Sequence, residues 1–94
     1  MKDTVAQKFD AIAIKYGIMR LYFYNNAADV ITECETQQIK VLGINSFKLS
    51  ARGIQPFMEY SPDYSKLEKH QTWGKAREDI FNYSEMDLVF EVVY

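Results

Sequence analysis

The chain has 94 residues, a formal net charge of −2 and 48% apolar residues. A chain of this length is expected to form one domain, residues 1–94, and its apolar and aromatic content excludes a largely disordered protein. Proteins that neutralise many phosphates usually carry a basic excess, so the charge argues against a nucleic-acid partner.

The first predicted element is a helix over about residues 4–16. Apolar residues recur along it at helical spacing, at Val5, Phe9, Ile12 and Tyr16. Thr4 and Gln7 have the spacing of a capping box, and Gly17 follows as a C-terminal stop.

Residues 18–24 are predicted to form a strand, because this segment is rich in aromatic residues and too short for a buried helix. One face of that strand is apolar, with Met19, Leu21 and Phe23. The other face carries Arg20, Tyr22 and Tyr24. Arginine and aromatic side chains are typical of protein-interface hot spots and can also stack bases, so these three residues are interface candidates. The alternative for the same residues is packing beneath a helix or a neighbouring loop.

Residues 27–42 allow two interpretations. As a helix with Asn26 as its N-cap and Gly43 as its stop, the segment gathers its apolar residues into one broad stripe. As a strand, residues 30–36 would place Val30 and Cys34 on one face. The helix accounts for more of the apolar residues and for both ends, so it is the favoured interpretation.

Residues 44–50 alternate as a strand, and residues 51–53 are predicted to form a turn. Residues 54–60 extend again, with Pro56 suited to an edge or a bulge because proline cannot donate to a ladder.

The sequence Ser61-Pro62-Asp63 is typical of a helix opening, and a helix is predicted from there to about Tyr83. The apolar face of this helix shifts at Gly74, which predicts a kink or a break at that residue.

The last predicted element is a strand over residues 86–94. One face is apolar throughout, with Met86, Leu88, Phe90, Val92 and Tyr94. The other face is half apolar and carries the remaining interface candidates, Val89, Glu91 and Val93. An open edge with apolar residues on both faces invites pairing with other chains. We therefore expect both sides of this strand to be paired, either by neighbours within the fold or by another chain.

The predicted order is one helix followed by a βαββαβ pattern. This is typical of an α+β ferredoxin-like sandwich, in which helices cover one face of an antiparallel sheet. That topology would centre the strand that contains Pro56 and leave the last strand at an edge. Either a partner then covers the edge, or the strand order differs.

The sequence predicts no enzyme activity, no metal and no cofactor. Cys34 and His70 are the single residues of their kinds, and Cys34 lies on an apolar stripe, where a free cysteine usually packs as a small core residue. Asp29 and Glu33 share a helix face, which is more typical of a solvated surface than of a cation site. Glycine-rich phosphate loops and nucleophile motifs do not occur in the sequence.

A cytoplasmic location is expected. The single cysteine cannot form an intramolecular disulfide, which favours a reducing compartment. Residues 1–4 lack the apolar run of a signal peptide, and no stretch is apolar enough to span a membrane, so no membrane partner is expected.

The function expected from these observations is that of a non-catalytic protein-binding domain, such as an adaptor, inhibitor or assembly factor. Its partner would be another protein or a second copy in a homo-oligomer, and a phage or mobile-element accessory protein is one setting that fits its size. The alternative is a ligand- or nucleic-acid-binding regulatory domain of ferredoxin-like form.

Four basic residues lie close together in the sequence and are interpreted as a solvated helix face: Lys66, Lys69, Lys75 and Arg77.

Overall fold

The computed structural model describes residues 3–94 and has the mixed α+β class that the sequence predicts. Met1 and Lys2 lie outside the described residues. They belong to the segment, residues 1–4, that was expected not to form a signal peptide. The elements in chain order are α1 (Thr4–Lys8), β1 (Ile14–Tyr16), β2 (Met19–Leu21), α2 (Tyr24–Thr36), β3 (Gly43–Ser50), β4 (Gly53–Pro56), a 3₁₀ turn (Met58–Tyr60), α3 (Lys69–Asn82) and β5 (Val89–Val93). Within residues 3–94, no helix is both long and apolar enough to cross a membrane.

The strands form a hairpin and a three-stranded sheet that meet at one residue pair. β1 pairs with β2, and β3 lies between β4 and β5, with every pair antiparallel. Tyr22, directly after β2, exchanges two backbone hydrogen bonds of 2.8 Å with Phe90 of β5. The hairpin therefore lies beside β5 and is bridged to it at this one pair, while the three-stranded sheet has the order β4–β3–β5.

The pairing differs from the ferredoxin-like expectation, which would centre the strand that contains Pro56. That strand, β4, lies at an edge, and β3 lies between β4 and β5. β5 pairs with β3 along its whole length, whereas on its other side only Phe90 pairs, with Tyr22. The expected pairing of both sides is therefore met at Phe90 alone, and residues 91–93 border an open cleft on the second side.

The main core lies between the sheet and the two long helices. α2 and α3 contribute the buried residues Ala27, Val30, Ile31, Cys34, Trp73, Ala76 and Ile80. The sheet side contributes Tyr22, Ile44, Phe90 and Val92. Both long helices therefore cover the same face of the sheet.

The opposite face of the sheet carries a second, smaller apolar cluster. Leu21, Phe47 and Val89 are buried there, and the residues around them all belong to strands: Ile14, Met19 and Ile54. The β1–β2 hairpin curls toward the far edge, so that a Cβ on Gly53 of β4 would lie 2.9 Å from the hydroxyl oxygen of Tyr16. The hairpin thereby shelters a face that no helix covers in the described residues.

The first predicted helix is wrong beyond Lys8. Ile14–Tyr16 pairs with Met19–Leu21, and Gly17, with φ of 61°, occupies the first position of the two-residue hairpin turn instead of stopping a helix. Tertiary pairing here outweighs a helical pattern that the sequence does carry. The predicted strand is correspondingly shorter, because α2 already begins at Tyr24.

The favoured helix for residues 27–42 is confirmed in type, and the alternative strand over residues 30–36 is wrong. α2 begins at Tyr24 and ends at Thr36, earlier than predicted. The chain leaves the helix through Gln38, whose φ of 59° lies in the left-handed region. The helix therefore stops without the glycine that was expected to end it.

The predicted helix opening at residues 61–63 and the kink at Gly74 are both wrong. α3 begins only at Lys69 and runs unbroken through Gly74. The preceding segment is held as a loop because the buried Tyr64 donates its hydroxyl to Asp79 of α3 at 2.5 Å. The predicted strand over residues 54–60 also shortens, since β4 ends at Pro56 and the 3₁₀ turn follows.

Candidate functional site

The six interface candidates lie in three places. Arg20, Tyr22, Glu91 and Val93 line one cleft of about 280 Å³. Tyr24 is the first residue of α2 and lines a different groove, beside the segment that leads into β5. Val89 is buried in the smaller apolar cluster. The structure therefore brings together four residues that the sequence placed on two separate strands.

The cleft opens where β2 and β5 separate, and we name it the β2–β5 cleft. Tyr22 and Phe90 are hydrogen-bonded, whereas toward the hairpin turn the two strands diverge around the open volume. Its walls are formed by Ile18 and Arg20 on the hairpin side and by residues 91–94 on the β5 side. Asp3 also lines the cleft.

Ile18 stands at the mouth of this cleft with its side chain fully exposed, at 101%. It occupies the second position of the hairpin turn, after Gly17, and a glycine at the first position is typical of a type II′ turn. Isoleucine is among the residues most often buried in folded proteins. Its full exposure at the tip of a tight hairpin makes it the most conspicuous apolar group of the cleft.

The charge of Arg20 is compensated within the hairpin region. Its Nη1 donates to Asp10 Oδ1 at 2.5 Å, and Lys15 Nζ lies 3.0 Å from the same carboxylate. The hydrogen bond from Arg20, reinforced by Lys15, lowers the pKa of Asp10, and the same bond raises the pKa of Arg20. The guanidinium is therefore held by Asp10.

Tyr22 belongs to the core, so the predicted face of exposed aromatic and arginine side chains does not form. Tyr22 is only 3% exposed, and its ring meets that of Phe9 edge-on at a centroid distance of 6.5 Å. Burial raises the pKa of the Tyr22 hydroxyl. For Tyr22 the structure therefore shows the packing alternative and not an exposed interface side chain.

The far wall of the cleft is acidic and internally hydrogen-bonded. Glu91 accepts a hydrogen bond of 2.9 Å from Asn45 of β3. Tyr94 donates its hydroxyl to the Asp3 carboxylate at 2.8 Å, and Asp3 also accepts from the Ala6 amide at the start of α1 at 2.9 Å. Burial, together with the bond to Asp3, raises the pKa of Tyr94, which keeps that hydroxyl neutral.

The residues that could support catalysis are separated from the cleft and from each other. Cys34 is buried in the main core, and burial raises the pKa of its thiol to about 12, which suppresses the reactive thiolate. His70 lies exposed at the start of α3. In residues 3–94, no group of three or more His, Cys, Asp or Glu side chains is placed to hold a metal ion.

Three of the charged groups singled out in the sequence pair with oppositely charged neighbours. Glu33 accepts from Lys8 at 2.6 Å. Two of the basic residues between positions 66 and 77 also pair with carboxylates, Lys75 with Asp79 at 3.0 Å and Arg77 with Glu35 at 2.7 Å.

Sequence reasoning missed a second surface, at the opposite end of β5 from the cleft. The sequence placed Phe23 and Met86 on the apolar faces of predicted strands, yet both side chains are exposed and line a common groove. Neither residue lies in a strand, because β2 ends before Phe23 and β5 begins after Met86. Comparison of the chain with protein-family models, with curated proteins and with solved structures gives no match.

Proposed function

We propose that this protein is a non-catalytic, cytoplasmic protein-binding domain, acting as an adaptor, inhibitor or assembly factor through the β2–β5 cleft. The observation that carries the proposal is the fully exposed Ile18 at the mouth of a cleft lined by polar and apolar groups. Protein interfaces combine a few apolar anchors with a polar rim. Ile18 and Val93 supply the apolar part, and Glu91, Asp3 and Arg20 supply the rim.

The polar groups of the cleft are held in place by neighbouring side chains. Arg20, Glu91 and Tyr94 each have a side-chain partner, at 2.5, 2.9 and 2.8 Å respectively. Such groups present charges and hydrogen-bonding atoms to a partner in fixed positions, as the polar rim of an interface does. The partner is another protein or a second copy of the chain.

The alternative, a ligand- or nucleic-acid-binding regulatory domain, has less support in the same geometry. Stacking of bases needs an exposed ring, and Tyr22 is buried. Binding of phosphate needs an uncompensated cation, and Arg20 is paired with Asp10.

Site-specific photo-crosslinking in cells tests the proposal. A photoreactive amino acid at position 18 should give one cross-linked product of defined mass, whose size identifies either a second copy or a different protein. The control position is Lys66, which is exposed in the loop before α3 and away from the cleft. No product at position 18, or equal products at both positions, would contradict the proposal.

The substitution Ile18→Asp supplies the matching loss of function. The side chain is fully exposed, so the free energy of unfolding should change by less than about 0.5 kcal/mol. The same change should abolish the cross-linked product formed from a photoreactive group at neighbouring Arg20. A product that survives Ile18→Asp would show that Ile18 is not an anchor.

A further inference from the structure

A second docking surface lies where β5 begins. The segment between α3 and β5 forms a ridge with a groove on each side, and Met86, Asp87 and Leu88 line both grooves. The first groove, of about 430 Å³, is bounded by residues 23–25 at the start of α2. The second, of about 310 Å³, is bounded by Lys48 and by Phe57, Glu59 and Tyr60. We name residues 23–25, 57–60 and 84–88 the ridge surface.

The ridge surface groups exposed apolar side chains. Met58 is 76% exposed, and Phe23, Tyr24 and Met86 are also exposed. Single exposed apolar residues are ordinary, but a group of them beside grooves is typical of an interaction site. Methionine and aromatic residues are enriched in the cores of protein interfaces, and methionine adapts its shape to a partner.

The ridge surface is also acidic. Glu59, Glu85 and Asp87 are exposed, and none of them takes part in the ion pairs formed among residues 3–94. Lys48 is the one basic residue among those that line the two grooves. The grooves therefore have apolar walls beneath a net negative rim, which attracts a positively charged partner.

We propose that the ridge surface binds a basic, amphipathic segment of a different protein, with Lys or Arg beside large apolar residues. Apolar side chains of such a segment enter the grooves on either side of Met86, while its cations meet Glu59, Glu85 and Asp87. A second copy bound through the same surface is disfavoured, because symmetric pairing would set like charges against each other.

This surface is separate from the β2–β5 cleft. The ridge surface ends at Leu88 and the cleft begins at Glu91, so their nearest edges lie about 10 Å apart along the strand. One partner at each end of β5 would make the domain a connector between two proteins. The proposal for the ridge surface does not depend on that for the cleft.

Binding of a short fluorescent peptide of lysine and leucine at helical spacing tests the proposal, with fluorescence anisotropy as the readout. The ridge variant is Glu85→Lys with Asp87→Lys, and the matched control is Asp29→Lys with Glu78→Lys, which changes net charge equally at exposed helix positions. The ridge variant should weaken binding about tenfold or more, and the control less than about twofold. Equal weakening would show attraction to net charge alone and would overturn the proposal, as would failure of the peptide to bind at low salt.

The apolar contribution needs its own pair of variants. Met86→Ser should weaken peptide binding about fivefold or more through lost apolar contact, whereas Ile12→Ser, at a similarly exposed residue outside the ridge surface, should not.

The position of the bound peptide is tested by NMR. When the peptide is added, the amide chemical shifts of residues 23–25, 57–60 and 84–88 should change. Ile18→Asp should leave peptide binding unchanged, so failure of the ridge proposal and failure of the cleft proposal give different results. Shifts scattered over acidic residues throughout the fold would overturn the ridge proposal.

Discussion

The two faces of the sheet are protected in different ways. Among residues 3–94, two helices and the sheet enclose fifteen buried residues on one face, whereas the curled hairpin shelters three on the other. The hairpin joins the rest of the sheet through the backbone bonds of a single pair, Tyr22 and Phe90. A region with few buried contacts opens at lower free energy than the global core. The helix-covered face therefore determines global stability, and the hairpin-covered face is expected to open locally.

Phe90→Ala should cause the largest loss of stability. Phe90 is fully buried and stacks on Tyr83 with ring centroids 6.3 Å apart. Truncation of such a side chain costs about 3–5 kcal/mol, against about 5–14 kcal/mol for a whole domain of this length. Urea unfolding measures the loss. The exposed Met58→Ala serves as the control and should change stability by less than about 0.5 kcal/mol. A loss from Phe90→Ala as small as the control's would contradict the account of the main core.

Leu21→Ala tests whether the hairpin-covered face opens on its own. Leu21 is fully buried in the smaller cluster, so its truncation should cost about 2–4 kcal/mol. Amide exchange should accelerate most in Ile14–Tyr16 and Met19–Leu21. Equal acceleration throughout α2 and α3 would mean that the two faces unfold as one unit, and the comparison between them would be lost.

Gly53→Ala tests the contact that closes the hairpin over the sheet. Gly53 has φ of 119°, and an added Cβ would meet the Tyr16 hydroxyl at 2.9 Å, so a loss of about 1–3 kcal/mol is expected. Tyr16→Phe in the same chain removes the close atom and should restore part of the loss in a double-mutant cycle. Gly74→Ala is the control, because its Cβ would meet no atom within 4 Å and it lies in a helix. That change should stabilise the protein by about 0.5–1 kcal/mol.

Cys34→Ala should cause the smallest of the four predicted losses of stability, about 1–2 kcal/mol, because a small buried group is removed from the helix-covered core. Burial raises the pKa of the thiol from 9.0 to about 12, so the folded state favours the protonated form. The stability that this preference contributes is complete below pH 9 and is lost as pH rises toward 12, a loss that the variant should lack. Native-state thiol labelling at pH 8 should be slow, and rapid labelling would show that the core opens around Cys34.

The elements that were predicted well are those whose evidence is local. The apolar stripe of α2 and the alternation of β3 and β5 each lie within one segment, so their type follows from spacing. The segment around Ile14–Tyr16 satisfies a helical pattern equally well, and only its pairing with β2 decides against the helix. Val89 and Val93 predicted a strand paired on both sides, whereas β5 pairs with β3 throughout and on its other side only at Phe90.

The sequence named four of the residues that line the cleft, but it did not predict that they form a cleft. Arg20 and Glu91 were named for different reasons, and the sequence contains no signal that they line one cleft. Their proximity follows from the position of β5 beside β2. For Tyr22 the sequence left exposure and packing both open, and the structure has it packed in the main core. The alternating pattern placed Phe23 and Met86 inside strands that end before them or begin after them.

The position of β5 beside both β3 and the hairpin has a consequence for how the protein is made. During synthesis, β2 and β3 leave the ribosome before residues 89–93, which form the strand that lies between them. The sheet cannot assemble around its central hydrogen bonds until this late segment arrives, and pairs such as Tyr22 with Phe90 close a very long loop. Contacts of this kind slow folding relative to helical bundles of equal length. Until residues 89–93 have emerged, the apolar sides of helix α2 and of the hairpin stay uncovered, and such surfaces are prone to aggregation and are bound by chaperones.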